Sequence, residues 1–377
     1  MIKNIEEFYS QKLENITFIE LKPNANVTIS DSKLKTNIPY PMLMNNLISE
    51  IKEKRAQDEI KLELLIEGMI YTVAVDPKFK YVKDYIDELV HIYKDIEKYL
   101  LYKGFGYLKD EKIDDALIYF KAITVINPDN AKGLYNYSLT LEKVAVNKLK
   151  YNKNKEAKIF LRESTSILED ILDIDSEFEL TYYKLGFHYK HAKQFKKADI
   201  VWEKFLDMSK DQDLIEEIQT NLNAIKDDVD YEEGYNYVLM GYPQKGLEIL
   251  LELKEKYTDW WNLLFMIGLA YRQLNDYSSA IKEFENVIAI NPKQLDTLNE
   301  LAMCYAAVGS LDSAIEKINL AIAIKPDDAE LLCNRGMILL NFGKIKEAET
   351  DILKAYEINP NDEVNITCKK QLESLVK

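Results

Sequence analysis

One block of sequence recurs at a constant interval along this chain and limits it to one kind of architecture. The copies are clearest near the C-terminus, where Pro292, Pro326 and Pro360 follow one another at equal spacing. Each proline ends an apolar stripe of helical period, and it biases the residue before it away from helical angles. One block therefore predicts two antiparallel helices joined by a short turn. Neither helix can bury its stripe alone, so neighbouring blocks must stack.

Residues 261–294 show the pattern within one block. Leu264 and Ile267 lie on one helical face of its first half, and an apolar stripe starts again at Ala280 in its second half. Gly268 and Ala280 are small, which lets two helix backbones approach closely. The block is therefore read as a tightly packed helical hairpin.

This pattern resembles the tetratricopeptide repeat. The resemblance implies an all-α fold, a right-handed α-solenoid of about seven helical hairpins. The repeats occupy residues 97–362, in the blocks 97–130, 131–178, 179–212, 227–260, 261–294, 295–328 and 329–362. Two insertions of equal length fit the register: one lengthens the hairpin of 131–178, and the other is 213–226, either an added helix or an extension of the next one.

The two ends of the chain depart from the pattern. Residues 1–96 are expected to form a small N-terminal module, in which "ITFIELKPNANVTIS" reads as a short strand or an extended arm and "NIPYP" must be extended. Residues 44–57 and 62–75 read as a degenerate repeat-like helix pair, with a buried strand at "MIYTVAV" as the alternative. Residues 363–377 predict a C-terminal capping helix. Its apolar stripe contains Val364, Cys368, Leu372 and Leu375.

Composition excludes several classes of protein. The chain has 49 basic and 64 acidic residues, a net charge of −15, which disfavours binding to nucleic acid. No apolar stretch of membrane-spanning length occurs, so no membrane partner is expected. Three cysteines, Cys304, Cys333 and Cys368, are read as buried, reduced thiols, which favours a cytoplasmic protein. The many Lys, Ile, Asn and Tyr residues are typical of an AT-rich genome and suggest a low-GC bacterium.

No motif for catalysis or cofactor binding is found. The chain has no glycine-rich phosphate loop, no nucleophile elbow and no Cys-x-x-Cys. His188 and His191 are three residues apart on a helix, but two ligands do not make a zinc site. We therefore expect that the protein is not an enzyme, that it has no catalytic residue and that it binds neither a cofactor nor a metal.

The resemblance implies a binding surface. In tetratricopeptide repeats the first helix of each hairpin lines the concave face of a superhelix. The aromatic and polar residues at the inward positions here are Phe105, Tyr135, Asn136, Tyr183, Phe187, Tyr231, Tyr235, Phe265, Arg272, Asn299 and Asn334. Such rings and amides suit an extended peptide or a helix from a partner protein.

A run of basic residues marks the tip of the long hairpin. It contains Lys148, Lys150, Lys153, Lys155 and Lys158. It is either a solvated hairpin tip or a docking site for an acidic partner or nucleic acid.

These observations favour a non-enzymatic scaffold that binds a peptide or protein segment in its groove. The alternative is an intracellular receptor for signalling peptides, similar in architecture to the Gram-positive regulators called the RRNPP group and acting through its N-terminal segment. A third hypothesis is an enzyme, and its only basis is that residues 1–96 have no assigned role. The identity of the partner, the process it serves and the oligomeric state do not follow from the sequence.

Overall fold

The computed structural model describes the chain in four stretches, residues 4–22, 28–29, 32–52 and 61–376. The chain divides into two compact units, residues 1–218 and residues 219–377. Within the described stretches, no helix combines the length and the apolar content needed to cross a membrane.

The first unit combines short strands with helices of unequal length. Its helices are α1 (Ile5–Leu13), α2 (Met44–Lys52), α3 (Leu62–Val75), α4 (Val82–Ile92), α5 (Ile96–Lys109), α6 (Ile113–Ile126), α7 (Ala131–Lys150), α8 (Asn154–Ile174), α9 (Glu179–His191) and α10 (Phe195–Met208). The strands are β1 (Ile16–Glu20), β2 (Thr28–Ile29), β3 (Ser32–Lys33) and β4 (Pro39–Leu43). Helix α11 (Gln212–Leu239) follows α10.

The N-terminal strands form two small antiparallel pairs. Strand β1 pairs with β4, with Phe18 opposite Pro41, and β2 pairs with β3. Prolines lack the backbone donor, so a strand that contains Pro39 and Pro41 suits the edge of a sheet. The Tyr85 hydroxyl of α4 donates to the Pro39 carbonyl oxygen at 2.6 Å, which ties this edge to the helices. The expected N-terminal module with short strands is confirmed.

The segment "MIYTVAV" is helical, so its alternative reading as a strand is wrong. It forms the C-terminal half of α3, which packs against β4, α4 and α6. Apolar side chains cover α3 on nearly all sides, which explains why its sequence lacks a helical period. Asn46 of α2 donates to Glu67 of α3 at 2.6 Å. The predicted partner helix, residues 44–57, lies partly outside the described residues, since α2 is described only to Lys52.

One hydrophobic core joins the N-terminal module to the first hairpins. It runs from Phe8 in α1 to Phe160 in α8 and includes Tyr40, Met69 and Phe120. Within this core the hydroxyls of Tyr9 and Tyr137 lie 2.8 Å apart in a buried hydrogen bond.

Three consecutive hairpins follow α4 in this unit. Helices α5 and α6 have 14 residues each, α7 and α8 have 20 and 21, and α9 and α10 have 13 and 14. Side-chain caps start two of them, where Asp95 accepts from the Lys98 amide and Asn130 accepts from the Gly133 amide. The pair α7–α8 is therefore a hairpin with about two extra turns on each helix.

The undecided insertion 213–226 belongs to one continuous helix. Helix α11 has 28 residues and runs through Tyr231 and Tyr235. The reading as an extension of the following helix is therefore the one that the structure supports.

The second unit consists of regular hairpins. Its helices after α11 are α12 (Pro243–Lys256), α13 (Trp261–Gln273), α14 (Tyr277–Ile290), α15 (Leu295–Ala307), α16 (Leu311–Ile324), α17 (Ala329–Asn341), α18 (Ile345–Ile358) and α19 (Glu363–Val376). Helix α14 stops before Asn291, whose non-helical backbone (φ −129°, ψ 83°) precedes Pro292. The predicted all-α architecture of stacked helical hairpins is confirmed.

The turn inside each hairpin contains one residue with left-handed backbone. In the first unit these residues are Glu111 (φ 59°), Asn152 (φ 58°) and Lys193 (φ 58°). In the second unit they are Gly241 (φ 80°), Asn275 (φ 60°), Gly309 (φ 81°) and Gly343 (φ 75°).

Helix α19 packs against α17 and α18. Cys368 and Leu372 of its predicted stripe are buried, whereas Val364 and Leu375 are exposed. The buried face thus covers only the middle of the predicted stripe.

Candidate functional site

Small residues bring the two helices of a hairpin together and so determine which face the first helix leaves free. A Cβ added to Gly104 of α5 would come within 2.6 Å of the Phe120 ring of α6. Gly268 of α13 has the same relation to Phe284 of α14, at 2.5 Å. Because bulky residues cannot fit at this contact, the opposite face of each first helix remains for neighbouring hairpins and for ligands.

Helix α5 carries two exposed rings, one of which, Phe105, also packs edge-on against Phe120 of α6 at 5.4 Å (ring centroids). Tyr102 is 76 % exposed and Phe105 is 50 % exposed. With Lys103, Gly106 and Lys109 they line an open cavity of about 490 Å³. Apart from its chain neighbours and its own helix backbone, a Cβ on Gly106 would meet no atom within 4 Å, so the space beside the rings is open.

The sequence-based set contains Phe105 but omits Tyr102. The two residues are three positions apart, which places both on one helical face, and this spacing is the signal that could have found Tyr102. An exposed tyrosine offers a large apolar area and a hydroxyl for a hydrogen bond.

The other predicted rings of the first unit are half-buried. Tyr183 lies 5.1 Å from Phe187 and 5.5 Å from Phe205, and Phe187 lies 5.1 Å from Trp202 (ring centroids). The Tyr183 hydroxyl donates to Glu217 at 2.8 Å. Burial, and then Glu217, raise the pKa of Tyr183 to about 12. These rings are thus partly committed to packing within the hairpin.

Tyr135 and Asn136 at the start of α7 are also partly engaged. The Tyr135 ring packs edge-on against Phe178 at 5.3 Å. The Asn136 amide donates to the Lys132 carbonyl oxygen at 2.7 Å. Both side chains keep some solvent exposure and so can still contact a ligand.

In the second unit, the predicted rings differ in how far they are exposed. Tyr231 packs against Trp260 at 4.6 Å and lies 6.2 Å from Tyr235. Tyr235 is 37 % exposed, whereas Phe265 is half-buried against Phe284 at 5.7 Å. Tyr235 is therefore the ring of this group that is most accessible to a partner.

The three predicted polar residues of the second unit all have partners: Asn299 and Asn334 bond to each other, and Arg272 pairs with Glu300. The Asn334 amide of α17 donates to the Asn299 side-chain oxygen of α15 at 3.0 Å. Arg272 Nε lies 2.6 Å from Glu300 Oε2. Burial raises the pKa of Glu300 against the opposing effect of Arg272, and burial raises the pKa of the neighbouring Cys304 thiol to about 12. Cys304 is thus an inert buried thiol at neutral pH.

The basic tip of the long hairpin has one internal ion pair. Lys148 Nζ lies 3.0 Å from Glu156 Oε2. The side chains of Lys150, Lys153, Lys155 and Lys158 are exposed. The charge of the tip is therefore available to a ligand except at Lys148.

The two histidines of α9 have separate partners. His188 Nε2 lies 2.9 Å from Glu142, and its Nδ1 lies 2.8 Å from the Thr165 hydroxyl. His191 Nδ1 lies 2.7 Å from the Phe187 carbonyl oxygen. No group of three or more potential ligands that could hold a metal is found among the described residues.

The cysteines correct one expectation from the sequence. Cys333 of α17 and Cys368 of α19 form a disulfide across 35 residues, whereas Cys304 is free and buried. The reading of all three as reduced thiols is therefore wrong for this structure. Sequence spacing alone does not determine which cysteines pair.

Two family models match the regular hairpins. A model described as "Tetratricopeptide repeat" matches residues 271–333, and another with the same description matches residues 329–362. Residues 271–362 therefore match the tetratricopeptide repeat. The matched residues contain α14 to α18 in full, and thus include Asn299 and Asn334.

Solved structures that resemble the chain share little sequence with it. A MamA structure is 21 % identical, with 48 % of this chain and 97 % of that chain covered and a TM-score of 0.37. A tetratricopeptide repeat protein from Parabacteroides merdae is 16 % identical, with 74 % and 98 % covered and a TM-score of 0.36. The APC/C hetero-tetramer Cut9–Hcn1 is 14 % identical, with 87 % and 66 % covered and a TM-score of 0.41. No curated protein sequence matches the chain.

Proposed function

We propose that this protein is a non-enzymatic scaffold that binds a peptide or a segment of a partner protein on the free faces of its first helices. The observation that carries the proposal is the pair of exposed rings, Tyr102 and Phe105, beside the open space at Gly106. Large rings that are left in water and gathered at a cavity are typical of binding sites.

The surroundings of these rings suit a peptide. Lys103 and Lys109 flank them together with Asp110, so two positive charges and one negative charge line the cavity, and the lysines can bind a carboxylate of the ligand. Rings provide contact area with little loss of conformational entropy, and the Tyr102 hydroxyl can bond to a peptide backbone. A segment laid along α5 would therefore find apolar, polar and charged contacts within about two helical turns.

In the second unit, Tyr235, Asn299 and Asn334 extend the same chemistry to other first helices. The Asn pair already bonds to itself at 3.0 Å, so an extended segment would have to exchange this bond for bonds to its own backbone. Amides are well suited to this exchange because each has a donor and an acceptor. The half-buried rings, Tyr183, Phe187 and Phe265, would support the surface more than contact the ligand.

The test uses peptides selected from a random-sequence display library on the full chain. The variant Tyr102→Ala/Phe105→Ala is expected to weaken the selected peptides by about 2 kcal/mol or more, as loss of aromatic hot spots does. Isothermal titration calorimetry measures the change. Ile200→Ala is the matched control, since Ile200 is 58 % exposed but lies on the second helix α10. Equal binding by the wild type and the double variant would overturn the proposal.

A further inference from the structure

The long hairpin overhangs its shorter neighbour and leaves part of a packing face uncovered. Near the middle of α7, Glu142 bonds to His188 and Lys184 of α9, both at 2.9 Å. On α8, Thr165 bonds to the same His188. These contacts define the faces of α7 and α8 that pack against α9.

Beyond these contacts the long helices continue but α9 does not. Helix α9 ends at His191, about 4.5 Å along its axis from His188. On the packing face of α7, Val146 lies about 6 Å and Leu149 about 10 Å beyond Glu142. On α8, Leu161 lies one turn beyond Thr165 toward the tip. Above the α9–α10 turn, the hairpin therefore presents a wall that α9 does not cover.

This wall is apolar and exposed. Val146 is 51 % exposed, Leu149 is 46 % exposed and Leu161 is 36 % exposed. These positions repeat at helical intervals on a face that binds a helix one turn lower. The geometry therefore suits a further helix, seated where α9 stops.

Positive charge surrounds the wall. Lys158 and Arg162 stand beside Leu161 on α8, and Lys193 projects from the α9–α10 turn below. Three acidic groups lie nearby: Glu142 bonds to Lys184, Glu156 lies 3.0 Å from Lys148, and Glu163 interacts electrostatically with Lys121 of α6. On a chain of net charge −15 this is a local reversal.

From the apolar wall and its basic border we infer that this ledge, formed by Val146, Leu149, Leu161, Lys158, Arg162 and Lys193, binds an acidic amphipathic helix of a partner protein. The wall takes the leucine or isoleucine stripe of that helix, and the lysines take its carboxylates. A flat bilayer does not fit the angle between the apolar face of the long hairpin and the α9–α10 turn. Nucleic acid offers no apolar stripe that could pack on this face. The site lies apart from Tyr102 and Phe105 and goes beyond the proposed function.

The probe is a synthetic helical peptide of about four turns, with leucines on one face and glutamates on the other. The control peptide has the same composition in an order that breaks the stripe. The full chain is expected to bind the first peptide saturably, to bind the control at least about 10-fold more weakly, and to lose affinity as salt is raised. Fluorescence anisotropy measures binding.

Two double variants test the two halves of the ledge. Val146→Ser/Leu149→Ser removes the wall, and Lys158→Glu/Lys193→Glu reverses the border; each is expected to weaken the peptide at least about 10-fold. Val308→Ser/Leu320→Ser and Lys282→Glu/Lys346→Glu, at exposed positions of the second unit, are the matched controls and should leave binding unchanged. Circular dichroism establishes that each variant is folded.

Other outcomes overturn the inference. Absence of saturable binding, or equal binding by the ledge variants and their controls, removes the site. Binding of phosphatidylserine-containing vesicles through the same residues, with no binding of the peptide, assigns the ledge to a lipid surface instead. Self-association that the ledge variants abolish assigns it to a second copy of this chain. Because Tyr102→Ala/Phe105→Ala leaves the ledge intact, failure here is distinguishable from failure of the proposed function.

Discussion

The two compact units of the chain use helical hairpins in different ways. In the first unit one core runs without interruption from Phe8 to Phe160, across strands, single helices and two hairpins. In the second unit the buried residues fall into several small clusters, each shared by neighbouring hairpins. The second unit is thus stabilised by local contacts, as in a repeat array, and the first unit depends on contacts between residues far apart in sequence.

The largest effect is expected at the end of the array, where a repeat has a neighbour on one side only. The Cys333–Cys368 bond closes a loop of 35 residues and joins α19 to α17. Chain-entropy arguments give such a loop about 4 kcal/mol of stabilisation. Adding dithiothreitol should therefore lower the denaturation midpoint of the second unit, measured by urea unfolding. The variant Cys333→Ala/Cys368→Ala should be insensitive to the reductant, and a wild type that is equally insensitive would contradict the disulfide.

The next effect tests the shared core of the first unit. A Cβ on Gly68 of α3 would collide with the backbone carbonyl of Pro41 in β4, which cannot move as a side chain can. Gly68→Ala should therefore destabilise the protein by about 3 kcal/mol. Gly106→Ala is the control at another helical glycine, and because nothing lies near Gly106 it should stabilise by about 0.5–1 kcal/mol. Thermal unfolding followed by circular dichroism compares them, and a harmless Gly68→Ala would mean that the strands are not part of the core.

A third effect concerns the contact between the long hairpin and α9, in which Glu142 of α7 bonds to His188 and Lys184 of α9. Burial raises the pKa of Glu142, but hydrogen bonds from His188 and Lys184 outweigh it, so this pKa lies below the usual value of 4.5. A carboxylate with a lowered pKa stabilises the fold above its unfolded pKa, and this contribution is lost as the pH falls through the folded pKa. Glu142→Gln should therefore cost about 2 kcal/mol at pH 7 and progressively less below pH 4.5.

Urea unfolding at several pH values measures this difference. Glu203→Gln, at an exposed position of α10, is the control and should change stability little at any pH. A loss for Glu142→Gln that stays constant down to the acid limit would show that the cluster is not held by the ionised carboxylate.

The smallest effect compares the turns of the two units. Three turns of the second unit have glycine at the left-handed position, where a side chain is strained, whereas the first unit has Glu111, Asn152 and Lys193 there. Glu111→Gly should stabilise by about 1 kcal/mol, and Gly309→Ala should destabilise by a similar amount. Equal and negligible shifts in the melting temperature for both variants would show that the turns tolerate either residue.

Much of the fold could be predicted because the hairpin is encoded locally. The proline after each second helix, as at Pro292, and the small residues at Gly268 and Ala280 are visible within a single block of the repeat. The sequence "MIYTVAV" fits a buried strand as well as a helix for a physical reason. Helix α3 is buried on nearly all sides, so its sequence has no polar face to show the helical period.

The parts that sequence could not determine depend on contacts between distant residues. The pairing of Cys333 with Cys368 needs α19 to fold back on α17, and no spacing rule supplies that. The solvent exposure of a ring also does not follow from its position in the repeat. Tyr235 is 37 % exposed, whereas Phe265, at a similar inward position, packs on Phe284. Tyr102 is different, because its spacing of three residues from Phe105 is visible in the sequence and predicts that the two share a helical face. The assignment of all these residues to a binding site is still a prediction.

At Lys193, fold stability and recognition of the proposed acidic helix favour different residues, because the backbone there is left-handed. A library randomised at this codon and sorted for protease resistance should enrich glycine, because glycine relieves the strain. The same library sorted for capture of an acidic helix should retain lysine or arginine. The natural residue at this position is lysine. It therefore agrees with the outcome expected from selection for binding and not with the outcome expected from selection for stability.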